Sequence, residues 1–403
     1  MAARKKASDN TVTIDKNRER AINEAIAAIK KTYGNETINI YGDSAENNAD
    51  VIHESTGSLS FDYISGGGLA RGRVHEFFGP EGSGKTSVAL QAVGQIQKRG
   101  GVAAFIDVEH AIDPMQAKRL GVDMKSLIFS QPTTAEQALN IMDALVSSGV
   151  VDIVILDSVA ALVPEDEYEG KMEDQHMALT ARLLSKALRK LTVSASQTGT
   201  IVVFINQVRD KIGVMYGNPE TTPGGRALKF AASIRLRVSR VGKPITSEKN
   251  KDVAIGQHVN LSCVKNKVGT PYLKAETDFY FIGGMDSAAD ILTYGRKHGV
   301  LRKEGKAYVT PDGEPIIYKG EEVTKLDTLS QALHDKSTGL VDVFYQPVLD
   351  AMKNYAMDSI FGNEDGNDDE EEEDIDTMMD ALDGGTNTGE TDTDGTDDDD
   401  FTE

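Results

Sequence analysis

The stretch RVHEFFGPEGSGKTSVALQAVGQIQKRG, residues 73–100, is the most informative in the chain. It reads as a short apolar strand, a glycine-rich turn and a helix, and the turn from Gly79 to Thr86 matches G-x-x-x-x-G-K-[ST] between the two flanking elements that this motif requires. Gly79, Pro80, Glu81, Gly82, Ser83 and Gly84 then form a loop whose backbone N–H groups curl round a phosphate, and the start of the following helix adds its positive end. Lys85 reaches the outer phosphates, the Thr86 hydroxyl holds Mg2+, and Ser87 joins the nucleotide-binding set.

The metal needs a second oxygen, and VDIVILD (151–157) ends a buried strand on Asp157, which suits that role. AAFIDVEH (103–110) places Asp107 and Glu109 at the end of another strand, where either carboxylate could orient or deprotonate a water beside the outermost phosphate. The apolar runs RVHEFF, VAAFIDV, VDIVILD and TIVVFI alternate with helical stretches, the pattern of parallel strands covered on both faces. SIRLRVSR and HVNLSCV follow without a long helix between them and read as antiparallel strands extending the sheet. The expected fold is an α/β P-loop core with a mostly parallel twisted sheet flanked by helices. Residues 15–33 place Ile22, Ile26, Ile29 and Tyr33 on one helical stripe, followed by a strand signal, TINIYG. That pair cannot bury both its faces alone and needs a host, in its own core or on a neighbouring subunit. The chain is expected to divide into 1–50, a core over 51–282, a small α/β region over 283–358 and a tail over 359–403.

Charge is unevenly spread. The formal net charge is −21, but 20 of the 64 acidic residues fall in 362–403, which has no Lys or Arg. The rest of the chain is nearly neutral, and the acidic tail, with little to bury, is expected to be disordered. Acidity is therefore no argument against an anionic partner. The single cysteine, Cys263, excludes an intramolecular disulfide framework and a cysteine-based metal cluster, and no apolar run approaches a membrane span. MAARKKASDN lacks the apolar stretch of a signal peptide, so a cytoplasmic location is expected. The segment NQVRDKIGVMYGNPETTPGGRALKF, residues 206–230, is too long for a simple connection and carries Arg209, Lys211, Arg226 and Lys229 among its glycines and prolines.

These residues, with STGSLSFDYISGGGLARGRVHEFFGPEGSGKT, FIDVEHAIDP, SQPTTAEQAL, VILDSVAALVP, HMALTARLLSKALRKL and VKNKV, closely resemble the bacterial RecA recombinase family over roughly residues 12–350. The resemblance implies an ATP- and Mg2+-dependent recombinase that forms a helical filament on single-stranded DNA, pairs it with homologous double-stranded DNA and exchanges strands. It implies that Glu109 is the catalytic glutamate, that Gln207 senses the outermost phosphate and that Asp113 belongs to the nucleotide site. Lys265 and Lys267 would reach the ATP site of the neighbouring subunit, as an arginine finger does. Residues 206–230 would be the second DNA-binding loop, with Arg209, Lys211, Gly224, Gly225 and Arg226 on phosphates and Ile212 as an apolar wedge. Residues 167–177 would be the first loop, with Met177 as the other wedge, and Arg182, Ser185 and Arg189 would contact the DNA backbone from one helix face. Lys229 and Phe230 match subunit-interface positions, where Lys229 serves either polymerisation or DNA.

Three positions depart from the family pattern. Gln116 stands where a tyrosine usually stacks on adenine, Pro223 where threonine is usual, and Arg226 where asparagine is usual. The long tail suggests either autoinhibition relieved by Mg2+ or simple solubilisation. Further implied partners are a single-strand-binding protein, loading factors and a self-cleaving repressor. Of the related ATPases, the RadA-like proteins usually carry an N-terminal zinc motif that one cysteine cannot supply.

Overall fold

The computed structural model describes residues 16–34, 37–38, 51–170, 179–210 and 220–361. By internal contacts the chain divides into Met1–Tyr355 and Ala356–Glu403. Of the second unit the described part is 356–361, which is helical. The disordered tail expected over 362–403 and most of TINIYG lie outside the described residues.

A nine-stranded sheet organises the first unit. Its strands are β1 (Val74–Gly79), β2 (Ala103–Asp107), β3 (Ile128–Ser130), β4 (Ile153–Asp157), β5 (Ile201–Gln207), β6 (Ile234–Ser247), β7 (Asn250–Asn266), β8 (Lys274–Tyr280) and β9 (Gly284–Met285). Their spatial order is β9-β8-β7-β6-β1-β5-β4-β2-β3. The stretch from β3 to β6 is parallel, and the strands beyond β6 are antiparallel. The two late apolar runs do pair antiparallel with each other, but SIRLRVSR first joins the core in parallel, Ile234 opposite His75 through Arg237 opposite Phe78. The connection between β5 and β6 supplies the crossover that a parallel neighbour needs.

The continuous apolar runs are explained by two cores. Ile153 and Ile155 enter one cluster and Val154 and Leu156 the other, as period-two alternation requires when helices cover both faces. Helix α3 (Lys85–Lys98) packs in the first, where Val88, Val93 and Ile96 meet Phe77 and Val203. In the second, α5 (Ala135–Ser148) and α7 (Leu179–Thr198) cover Val154, Val202 and Phe204 with Met142, Leu184 and Leu188. A third cluster gathers α9 (Ser287–Lys297), α10 (Leu326–His334) and the start of α11 (Leu340–Phe361) around Leu59 of α2 (Leu59–Ser65). Here α1 is Lys16–Tyr33, the helix read from the Ile stripe, and Tyr33 is exposed. The short helices α4 (Pro114–Arg119), α6 (Glu165–Glu169) and α8 (Ala227–Ala231) complete the set. No helix of the described residues is long and apolar enough to cross a membrane.

Candidate functional site

Strand register creates the site. Gly79 lies opposite Gln207, and Asp107 opposite Asp157, so four parallel strands end together at their carboxyl edge. In open α/β sheets this edge, where successive connections diverge, is where ligands bind. The loop after β1 turns into α3 at Gly84, whose φ of 94° belongs to the left-handed region and which caps the helix without a side chain. The first N–H groups of α3 are thus free of a side-chain cap and face a cavity of about 280 Å³.

Lys85, Thr86, Glu109, Asp157 and Gln207 all line that cavity, with Glu81, Gly82, Gly84 and Ser87. Gly79 sits at the end of β1, and Pro80 and Ser83 face an adjoining cleft of about 590 Å³ that shares Gln257 and Phe281 with the first cavity. That larger cleft holds none of Lys85, Thr86 or Asp157. Thr86 Oγ1 donates to Asp157 Oδ2 at 2.5 Å, so hydroxyl and carboxylate converge on one point. Lys85 Nζ donates to the Pro80 carbonyl at 2.7 Å, and its burial pushes its pKa down against the pull of Asp157, Glu109 and Glu81. Burial pushes the Asp157 carboxyl up to about 7, reinforced by Glu109 and Asp107 and opposed by the Thr86 hydrogen bond. A buried carboxyl with two further acids beside it suits a site completed by a cation.

Geometry separates the two carboxylates that the sequence left open. Asp107 is committed to its own loop, accepting from the Ala111 and Ile112 N–H groups at 3.3 and 3.2 Å and from Gln131 Nε2 at 3.1 Å. Glu109 instead faces the cavity, where its Oε1 accepts from Ser158 Oγ and from Gln207 Nε2 at 3.0 Å. Asp113 is not among the lining residues; it caps α4, accepting from Met115 N at 2.8 Å. Lys265 and Lys267 do not line their own subunit's cavity either. Lys265 Nζ donates to the Lys229 and Phe230 carbonyls at 2.6 and 3.1 Å, and Lys267 Nζ to that of Phe230 at 3.0 Å. Burial, then the neighbouring Lys267 and Arg235, lowers the Lys265 pKa to about 8.

The residue fit for a nucleotide and its metal rests on two features. The α3 N-terminus lacks a side-chain cap, and Thr86 and Asp157 supply two oxygens, the number at which Mg2+ relies on phosphate and water for the rest. No group of three or more metal-ligating side chains occurs among the described residues. Sequence reasoning missed Ser158, Gln257, Phe279 and Phe281, which also line the cavity. Gln257 Nε2 donates to the Ser83 carbonyl at 3.3 Å, and Gln116 Nε2 to that of Phe281 at 3.1 Å. Gln257 and Phe279 come from the antiparallel part of the sheet and Phe281 from the turn after β8, far along the chain, and none carries a motif.

The proposed DNA surface is partly described. Arg182 and Arg189 are exposed and Ser185 half-buried on α7, opposite the buried Leu184, Leu188 and Leu191. Gly224, with φ 83°, packs so closely there that a Cβ would stand 2.7 Å from Leu184 and 2.8 Å from Val159. Gly225 approaches Ala181 in the same way, and Arg226 follows, exposed, before α8. Arg209 is exposed at the other stem, where Arg209–Asp210 pairs with Glu220–Thr221. Glu220 is held by a two-toothed ion pair to Arg237, at 2.9 and 2.7 Å. Met177, Lys211 and Ile212 lie outside the described residues.

A parallel sheet, a glycine-rich loop opening a helix, and an acid at the end of the strand two places away define a P-loop nucleotide-binding ATPase. The RecA N-terminal domain family matches residues 20–286. Protein RecA of Thermus aquaticus is 49% identical over 310 residues, 77% of this chain and 89% of the relative. Protein RecA of Thermus thermophilus is 50% identical over the same length and share, and that of Bifidobacterium longum 46% over 322 residues, 80% and 79%. The chain belongs to the RecA family. It is a recombinase and DNA-dependent ATPase that uses a nucleotide, binds DNA and forms filaments.

Proposed function

We propose that the nucleotide is ATP bound with Mg2+ between neighbouring subunits of a filament on single-stranded DNA, and that its hydrolysis is governed by the loop over 206–230. Lys85 and the N–H groups at the start of α3 hold the phosphates. Thr86 and Asp157 hold the metal, which when bound neutralises charge on the outer phosphates. Glu109 orients the attacking water and accepts its proton, while Lys265 and Lys267, turned away from their own cavity, serve the neighbour's site in the manner of an arginine finger. Arg182, Arg189, Arg209, Lys211 and Arg226 contact DNA phosphates, which give affinity without sequence information. Ser185, Gly224 and Gly225 let the backbone approach, and Met177 and Ile212 wedge bases apart. Asp113 joins the nucleotide site through its position beside α4. Homologous duplex is the second DNA partner, read by pairing between strands. Single-strand-binding protein, loading factors and a self-cleaving repressor are further partners, the location is cytoplasmic, and residues 283–358 act as a small C-terminal domain with 1–50 as the polymerisation segment.

The observation that carries this reading is the 3.0 Å hydrogen bond from Gln207 to Glu109, because Gln207 is also the first step of the loop. Hydrolysis measured with and without single-stranded DNA across a salt series tests it. DNA stimulation that fades as salt rises supports the coupling, and hydrolysis indifferent to DNA refutes it.

A further inference from the structure

Behind Gln207 lies a buried polar chain that the nucleotide site does not use directly. Asn206 and Glu76 are both fully buried, in adjacent parallel strands. Asn206 uses every polar atom of its side chain. Its Nδ2 donates to Glu76 Oε1 at 3.0 Å and to the Pro223 carbonyl at 3.1 Å, and its Oδ1 accepts from the Gln207 N–H at 3.0 Å. Rotating the amide by half a turn would set donor against donor at Gln207 and acceptor against acceptor at the other two, so the orientation is determined by its partners. Glu76 is fixed in turn by Arg235, whose Nε donates to its Oε2 at 2.5 Å and whose guanidinium lies 4.5 Å from the Phe78 ring centroid.

These bonds join three places. Glu76 lies on the strand that ends at Gly79, so its position follows the phosphate loop. Gln207 and Pro223 belong to the two arms of the loop over 206–230, and one carboxamide holds both. Arg235 pairs with Lys265 across the β6–β7 register and contributes to lowering its pKa.

We propose that Asn206, oriented by Glu76 and Arg235, is the positioning residue that transmits the state of the nucleotide site to both arms of the DNA loop. Because Gln207 bonds to Glu109, a nucleotide that draws Gln207 towards the outermost phosphate pulls on its own N–H and therefore on Asn206. Asn206 cannot yield without surrendering either Pro223 or Glu76, and a buried amide left unpaired is costly. The two arms consequently move together rather than singly. The inference rests on reading 206–230 as the DNA loop.

The test uses the full chain, comparing wild type with Asn206→Ala, Asn206→Asp and Glu76→Gln. ATP hydrolysis is measured with and without single-stranded DNA, and ATP and DNA affinities and the thermal midpoint are measured separately. The Asn206 variants should keep both affinities within about threefold of wild type yet lose DNA stimulation of kcat by roughly tenfold or more, the range of ordinary site-to-site coupling. Asn206→Asp keeps the size of the side chain and sets an oxygen against Glu76 and Pro223, so it should show the same split without a cavity. Combining Asn206→Ala with Glu76→Gln should cost no more stimulation than Asn206→Ala alone, because both break one chain. Unchanged stimulation in the two Asn206 variants overturns the inference. So does a loss of stimulation matched by equal losses of ATP affinity and thermal midpoint, the signature of general destabilisation. A wild type indifferent to DNA refutes the loop reading itself, before any variant is considered.

Discussion

Replacing Gly224 with alanine tests whether the stem of the DNA loop is sterically locked to α7. At φ 83° an L side chain is strained by roughly 1–2 kcal/mol. The added Cβ would also stand 2.7 Å from Leu184 Cδ2 and 2.8 Å from Val159 Cγ1. Both neighbours are buried, at 0% and 1% exposure, so neither can swing into solvent. Overpacking of this kind costs about 1–3 kcal/mol, and the stiffer unfolded chain returns about 0.5 kcal/mol. The expected net loss is therefore about 1.5–4.5 kcal/mol. Gly225→Ala is the internal control, since it has φ 75° but its Cβ would meet only Ala181, at 3.2 Å. It should lose about 0.5–1.5 kcal/mol, mostly strain less the same unfolded-chain return. Urea unfolding of both variants beside wild type, compared at equal m-value, measures the difference. If Gly224→Ala lies within about 0.5 kcal/mol of wild type, as a surface substitution would, or if the two variants lose equally, the packing argument fails.

Glu109→Gln should bind ATP normally and hydrolyse it about 100-fold more slowly or worse, the usual contribution of a positioned base, as read by single-turnover kinetics. Arg226→Asn should lower the slope of log DNA affinity against log salt by about one and weaken all sequences alike, as measured by anisotropy titrations at several salt concentrations. His334 donates to Asp286 at 3.0 Å, which with its backbone bond raises its pKa to about 9 from 6.5. Burial works against ionised Asp286, but His334 and the Ala288 and Ala289 N–H groups hold its pKa below the usual carboxylate value. The His334 contribution is therefore complete below pH 6.5 and is lost as pH rises through about 9, while Asp286 must stay ionised at the acid end. With His334 at 45% exposure, screening limits the pair to about 1 kcal/mol, so the stability gap between wild type and His334→Ala should be about that size near neutrality and close by about pH 10. A gap that persists at that pH would refute the ion pair.

The segment over 73–100, by its strand, glycine-rich turn and helix, settled that this is a P-loop α/β protein, because the motif is local and needs no distant partner. The strands were equally legible, since a strand buried on both faces must be apolar at every position, as Ile153–Leu156 is. Arg182, Ser185 and Arg189 could be placed on one face because helical spacing alone dictates it. The remaining features depended on the folded chain. Asp107 and Glu109 are two residues apart on one run, and only the fold shows that Ala111, Ile112 and Gln131 occupy the first while Gln207, from a strand nearly a hundred residues later, meets the second. Lys265 and Lys267 read as a solvated strand end without the family resemblance, and their bonds to the Lys229 and Phe230 carbonyls depend on a crossing that no local pattern encodes. The parallel pairing of Ile234–Arg237 with β1 was hidden for the same reason. No motif singles out Glu76, and Asn206 reads only as the first residue of the loop that follows TIVVFI. They became a connected pair only when parallel register set β1 beside β5, because a buried polar group acquires its meaning from the partner that satisfies it.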